Sequence, residues 1–139
     1  EHVITQGQTT AFKLACLNAL FGGGNTYKIA LYTGNASLDN TTTVYTSANE
    51  VTGGGYTAGG QLLTTIAPSS DNQANTAFVS FSNVTWNPAS FTCRGALIYN
   101  AVTLAAVAVL DFGSDKTANT TFTITFPTDN AANAVIRIA

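Results

Sequence analysis

Three aspartates are the residues of this chain best spaced for metal or acid–base chemistry. Asp111 and Asp115 flank one expected turn and Asp129 lies in another. If these loops converge, the carboxylates and backbone carbonyls would suit Ca²⁺, whereas a small hydrolase would use Asp111 or Asp129. Because Asp is favoured in turns for its own backbone hydrogen bonds, we expect three solvated turn residues instead. The sequence predicts no metal and no other cofactor.

Two short motifs resemble nucleotide-binding signatures. Residues 111–113 spell Asp-Phe-Gly, but a kinase also needs a glycine loop over the phosphates, a paired Lys and a catalytic-loop Asp in a far longer chain. Residues 53–58 imitate a dinucleotide fingerprint, yet no helix is predicted after them to receive a pyrophosphate. We expect Asp111 to end a strand and Gly113 to begin a turn. The glycines at 53–55 would provide positive φ angles or close packing against a neighbouring chain.

Histidine and tryptophan each occur once. His2 lies near the first residue, so a histidine-dependent nucleophile and a His-rich metal site are both excluded. We therefore predict no enzymatic activity. Trp86 and the tyrosines could form a platform that stacks on sugars, but Trp86 directly follows an alternating strand, which favours core packing.

Arg94 is the charge whose surroundings matter most. It interrupts the apolar run 91–99, where an unpaired charge would be costly. Two interpretations stay open: a structural ion pair and a contact with a partner subunit. Cys16 and Cys93 are too few for a disulfide scaffold, and we expect two buried free thiols.

The composition combines 45% hydrophobic with only 9% charged residues, where a soluble domain usually carries about 25% charged residues. This hydrophobicity excludes a disordered chain, and five Lys and Arg residues exclude a basic nucleic-acid-binding patch. No apolar run reaches the length of a membrane span. Thr, Asn and Ser replace the missing charge and give a neutral surface that two chains can bury without desolvating ions.

The chain length favours one domain over residues 9–139, preceded by an N-terminal arm at 1–8. A short helix is predicted at 9–21, capped by Thr9 or Thr10 and ended by the glycines at 22–24. Its apolar face would dock on a sheet. The residues expected on that face are Phe12, Cys16, Ala19 and Leu20.

After the glycines the pattern keeps the period of two that is typical of strands. Strands are predicted at 27–33, 76–84, 91–99, 105–112, 120–126 and 135–138. Turns rich in Gly, Asn and Asp are predicted at 34–40, 53–60, 69–75, 113–119 and 128–133. The predicted fold class is mainly β: a compact antiparallel β-sandwich, jelly-roll-like, with one short N-terminal helix.

Several strings in this order resemble a family of small virion structural proteins encoded in the structural modules of tailed bacteriophages. They are KIALYT at 28–33, NEV at 49–51, GYTAGG at 55–60, RGALIYN at 94–100, AVAVLDFG at 106–113 and IRIA at 136–139. The resemblance spans from Lys28 to the end of the chain. It implies a particle component and brings no catalytic residues with it.

Within a virion, a capsid cement or decoration protein fits a small neutral β domain best. We expect it to bind the outer surface of the head shell and to stabilise it. Its partners would be the major capsid protein and further copies of itself, with neither nucleic acid nor membrane. It would lie on the capsid exterior after assembly in the host cytoplasm. The alternatives are a neck, tail or head-fibre subunit and a secreted carbohydrate-binding module.

The residues predicted to contact a partner come from the N-terminal arm, the glycine loop and the interrupted strand. They are Glu1, His2, Val3, Ile4, Gly53, Gly54, Gly55, Tyr56 and Arg94. The arm is included because a polar segment before a capped helix suits ordering on a partner.

Overall fold

The structure is a computed structural model that describes residues 4–139. Within that range it has one helix and nine strands. In chain order they are α1 (Thr10–Phe21), β1 (Tyr27–Tyr32), β2 (Gln61–Leu63), β3 (Thr65–Asp71), β4 (Thr76–Phe81), β5 (Val84–Trp86), β6 (Phe91–Asn100), β7 (Ala106–Ala118), β8 (Phe122–Ile124) and β9 (Ile136–Ile138).

Helix α1 begins and ends where the sequence predicts. The Thr9 side chain accepts a hydrogen bond of 3.2 Å from the backbone N–H of Phe12, which satisfies one of the free donors at the first turn. At the other end the N–H of Gly22 donates to the carbonyl of Asn18 at 2.9 Å, and the glycines that follow stop the helix.

The buried face of α1 differs from the predicted one. Lys13 and Leu17 are buried, whereas Phe12 and Leu20 keep 58% and 55% of their surface exposed. The prediction that Phe12, Cys16, Ala19 and Leu20 form the docking face is therefore wrong. The helix is apolar on several sides, so the periodicity of its apolar residues does not select one face.

The chain divides into two compact units. The first contains residues up to Gly24, Thr65–Phe81 and Phe126–Ala139. Its sheet has the strand order β3-β4-β9, antiparallel throughout. Leu17 of α1 packs on Ala77 and Val79 of the central strand, so the prediction that the helix docks on a sheet is confirmed.

A buried lysine anchors the helix to the turn between β3 and β4. Lys13 is 4% exposed, and its Nζ donates to the carbonyl of Asn75 at 2.8 Å. The hydroxyl of Thr10 donates to Oδ1 of the same asparagine at 2.8 Å. Asn75 adopts a φ of 52°, a left-handed conformation that Asn tolerates better than most residues.

The second unit contains Asn25–Thr64 and Ser82–Thr125. Its main sheet has the order β2-β1-β6-β7 and a smaller sheet pairs β5 with β8, all antiparallel. Trp86 of β5 lies 6.4 Å from Phe91 of β6, between ring centroids, and 6.0 Å from Phe122 of β8. These aromatic rings bring the two sheets of this unit together in the manner of a sandwich.

The fold class predicted from sequence is confirmed: mainly β, sandwich-like, with antiparallel sheets and one N-terminal helix. A single domain over 9–139 stays a prediction. In the described part of the chain, no helix is long and apolar enough to cross a membrane.

Several strand boundaries differ from the predicted ones. The sequence pattern missed β2 and β3, and it predicted a turn at 113–119, where β7 in fact continues to Ala118. Pro68 falls at a register shift inside β3, where its missing N–H does not break the ladder.

Candidate interaction surfaces

The glycine loop is shaped by its own chain. Gly53, Gly54 and Gly55 have φ angles of 72°, 61° and 87°, as the predicted positive φ requires. The N–H of Ser90 donates to the carbonyl of Gly54 at 2.8 Å. A Cβ added to Gly54 would lie 1.9 Å from the Ser90 carbonyl oxygen, and one on Gly55 would lie 2.1 Å from that of Pro88. The close packing predicted against a neighbouring chain is thus made with residues 88–90 of the same chain.

Tyr56 belongs to the interior of its unit. It is 8% exposed, and its hydroxyl accepts a hydrogen bond of 2.9 Å from the N–H of Leu31 while donating to the carboxylate of Glu50. The sequence predicted Tyr56 as a partner contact. The structure corrects this prediction, because the side chain has almost no exposed surface with which to bind a partner. The exposed surface of the loop is provided by the glycines.

Glu50 is a buried carboxylate held by hydroxyl and backbone donors. Its Oε1 accepts from the Tyr45 hydroxyl at 2.6 Å, and its Oε2 accepts from Tyr56 and from the N–H of Gly59, the latter at 2.8 Å. Burial raises the pKa of the Tyr56 and Tyr45 hydroxyls, and their hydrogen bonds to Glu50 raise it further. The hydroxyls therefore stay protonated donors.

Two more tyrosines fasten the same irregular segment to the sheet. The Tyr32 hydroxyl donates to the carbonyl of Thr46 at 2.6 Å, and the Tyr99 hydroxyl donates to the carbonyl of Gly59 at 2.6 Å. Tyr45 stacks on Tyr99 with 4.7 Å between ring centroids. These contacts hold a long segment without regular strands against β1 and β6.

Arg94 lies beside a groove of the second unit. Its Nε is 3.9 Å from Oδ1 of Asp111 on the neighbouring strand, and the two side chains are 46% and 79% exposed. An exposed pair at this distance contributes little stability. The groove has a volume of about 290 Å³, and Gly34 and Gly95 are among the residues that line it. The ion-pair interpretation is supported, and the exposed guanidinium remains accessible to a partner.

Strand β7 leaves its regular register opposite Arg94. Gly95 pairs with Asp111 and Cys93 pairs with Lys116, so residues 112–115 face a single residue of β6. The N–H of Gly113 donates to Oδ1 of Asp111 at 2.8 Å, and Gly113 has a φ of 79°. The Asp-Phe-Gly triplet is thus turn chemistry inside a bulge, and the prediction that Asp111 ends the strand is wrong.

The remaining candidate sites have simple structural roles. Among residues 4–139, no three His, Cys, Asp or Glu side chains are grouped as a metal ion would require. Trp86 is 2% exposed, so it packs in the core as expected and forms no sugar platform. Cys16 is half-buried and Cys93 buried, both as free thiols. Burial, with a smaller effect of Asp115, raises the pKa of Cys93 to about 11.

The predicted N-terminal contacts fall partly outside the described residues. Glu1, His2 and Val3 lie there, and Ile4 is 98% exposed. Their role as partner contacts stays a prediction, as does that of Arg94 and the glycines.

Exposed apolar side chains are the surface feature that the sequence pattern missed. They are Ile4, Phe12, Leu20, Val44, Leu62, Ile66, Val102 and Leu104. The sequence carries one signal of this surface, because Lys13 is the only charged residue of α1. Since Lys13 is buried, the exposed face of the helix has no charged side chain. Exposed apolar side chains mark an interaction site where they form a contiguous patch, so these residues are candidates for contact with a partner.

Comparison with protein-family models, with curated proteins and with solved structures gives no match for this chain.

Proposed function

We propose that this chain is a non-enzymatic structural protein of a tailed-phage virion, most specifically a capsid decoration protein. It would bind the major capsid protein on the outer surface of the head shell and contact further copies of itself. The observation that carries the proposal is the set of exposed apolar side chains on a surface with few charges, present in both units.

A decoration protein has to bind through contact area and not through charge. Neutral, apolar contacts are insensitive to salt, since screening acts on exposed charges. The chain has only 9% charged residues, and its one ion pair among the described residues is exposed and long. Such a surface can be covered by neighbours without the cost of removing ions from water.

Copy number on purified particles tests this function. Quantitative mass spectrometry of virions, calibrated on the major capsid protein, would give hundreds of copies per head for a decoration protein. A dozen copies or fewer would place the chain in the neck, tail or a head fibre. Its absence from particles would refute the virion function altogether.

A salt series separates the binding mode from the location. We expect occupancy of purified heads to stay constant as the salt concentration rises, because apolar contacts are not screened. The matched variant is Arg94→Gln, which removes the positive charge and keeps a polar side chain with the same three carbon atoms, Cβ, Cγ and Cδ. Occupancy that falls steeply with salt in the native chain, and less so in Arg94→Gln, would contradict a neutral interface and point to Arg94.

A further inference from the structure

Residues 34–43 are the least anchored part of the segment between β1 and β2. None of them is buried, and most are exposed. The two apolar ones, Ala36 and Leu38, pack on a buried cluster of the sheet that is formed by Ala30, Tyr32, Leu97 and Tyr99. A segment with so little buried apolar surface belongs to the low-stability part of a fold.

The hydrogen bonds of residues 36–42 are local. The Asp39 carboxylate accepts from the N–H of Thr41 at 2.8 Å, and the N–H of Thr42 donates to the Asp39 carbonyl at 3.1 Å. Among the described residues, no hydrogen bond joins 36–42 to a residue outside 33–42. The turn is therefore held together internally and is not tied to the sheet by hydrogen bonds.

Hydrogen bonds to the rest of the unit resume on both sides of this turn. Before it, the N–H of Thr33 donates to the carbonyl of Asn49 at 3.0 Å, and the Asn49 side-chain amide donates to the carbonyl of Asn35 at 3.2 Å. After it, the N–H of Ala106 donates to the carbonyl of Thr43 at 3.0 Å. The turn thus lies between two fixed points of the backbone.

Two hollows border the same turn. The groove of about 290 Å³ has Ala36 and Leu38 in its lining. A second hollow, of about 450 Å³, has Asp39 and Thr42 in its lining. Val109 of β7 lines both, so the turn passes between two hollows that reach the same strand residue.

We propose that residues 36–42 form a flap that lifts off the sheet as a unit, turning about residues 33–35 and 43–45, while the rest of the second unit stays folded. Such hinges are typically a few loop residues that absorb the change in backbone angles. Lifting breaks no hydrogen bond to the sheet, so its main cost is the apolar contact of Ala36 and Leu38. Because Val109 lines both hollows, an open flap joins them into one channel.

Thiol labelling at Leu97 tests the opening directly. Leu97 has no exposed surface, belongs to the buried cluster and pairs with Val109 across β6 and β7. In a Cys16→Ala background, Leu97→Cys adds one reporter thiol beside native Cys93, which is also fully buried but is not part of that cluster. A maleimide in excess at neutral pH, followed by mass spectrometry of the labelled peptides, gives the labelling rate of each thiol. We expect position 97 to react at least about tenfold faster than Cys93, since local opening costs less than global unfolding.

Leu38→Ala identifies the segment that moves. Removing most of this side chain weakens the contact of the flap with the cluster, so labelling at position 97 should become severalfold faster while that of Cys93 stays unchanged. Leu62→Ala is the matched control, because it makes the same substitution in the same unit at a residue that is 59% exposed and lines neither hollow. It should change neither rate.

Equal labelling rates at position 97 and at Cys93 would overturn the flap, because both thiols would then require global unfolding. Faster labelling at position 97 that does not respond to Leu38→Ala would overturn the assignment of residues 36–42 as the moving segment. Thermal melting verifies that each variant is folded. If Leu97→Cys does not fold, Ala30→Cys, at another fully buried residue of the cluster, replaces it with the same expected rates.

The flap rests only on contacts within the second unit, so it goes beyond the proposed function and does not depend on it. A chain absent from particles would refute the virion function and leave the labelling result intact. Equal labelling rates would remove the flap and leave the copy number on particles unchanged.

Discussion

Replacing Tyr56 with Phe removes one hydroxyl that makes two buried hydrogen bonds. The N–H of Leu31, on a residue with no exposed surface, loses its acceptor, and the Glu50 carboxylate loses one of its donors. A buried donor left without a partner costs about 1–3 kcal/mol, and a hydrogen bond to a charged group contributes about 1.5–3 kcal/mol. Because Glu50 keeps two other donors, we expect a loss of about 3 kcal/mol in the free energy of unfolding.

Tyr99→Phe is the matched control, because it removes one hydroxyl from the same group of tyrosines. That hydroxyl donates to the carbonyl of Gly59, a neutral acceptor, so the expected loss is about 1 kcal/mol. Urea unfolding at neutral pH measures the free energy of unfolding of both variants, and the loss should be about three times larger for Tyr56→Phe than for Tyr99→Phe. In thermal melting, the melting temperature should likewise fall about three times further for Tyr56→Phe. Equal losses in the two variants would refute the assignment of Glu50 and Leu31 as partners that depend on Tyr56.

Three further predictions concern the loop, the tyrosines and the arm. Gly54→Ala should lower the free energy of unfolding by more than about 3 kcal/mol, because the added Cβ meets a backbone oxygen. Gly53→Ala, whose added Cβ lies in open space, should lower it by about 1 kcal/mol. Urea unfolding of the two variants measures this difference. Burial raises the pKa of Tyr32, Tyr45, Tyr56 and Tyr99. The stability that these hydroxyls contribute is therefore complete below about pH 10 and is lost as the pH rises through their pKa values in the folded chain. Melting temperatures measured across alkaline pH would show this loss. Removal of residues 1–8 should lower occupancy on heads several-fold, and unchanged occupancy would reject a contact by the arm.

The elements that sequence predicted well are those fixed by local signals. Thr9 caps α1 and Gly22 ends it, and neither depends on the rest of the chain. The continuous apolar runs at 91–99 and 105–112 predict central strands, because such strands are covered on both faces. This is confirmed for β6 and wrong for β7, which lies at the edge of its sheet. The core and the fold class therefore follow from the pattern.

The elements that sequence did not predict are set by contacts between distant residues. Gly113 normally ends a strand, yet β7 continues past it because β6 pairs again with Lys116 after the bulge. Lys13 would be placed on an exposed face by its charge, but the carbonyl of Asn75, more than sixty residues later, satisfies its ammonium inside the first unit. Neither partner is visible from a local window of sequence.

Glu50 shows how a chain with so few charges can bury a carboxylate. The segment between β1 and β2 has no ladder of its own for most of its length, so its backbone needs other anchors. A carboxylate can accept from several donors at once, and Glu50 connects Tyr45, Tyr56 and Gly59 at one point. Since two of these donors are hydroxyls and the third is a backbone N–H, no second ion has to leave water. Low charge and a buried carboxylate are therefore compatible, because two hydroxyls and a backbone N–H solvate the carboxylate without a buried cation beside it.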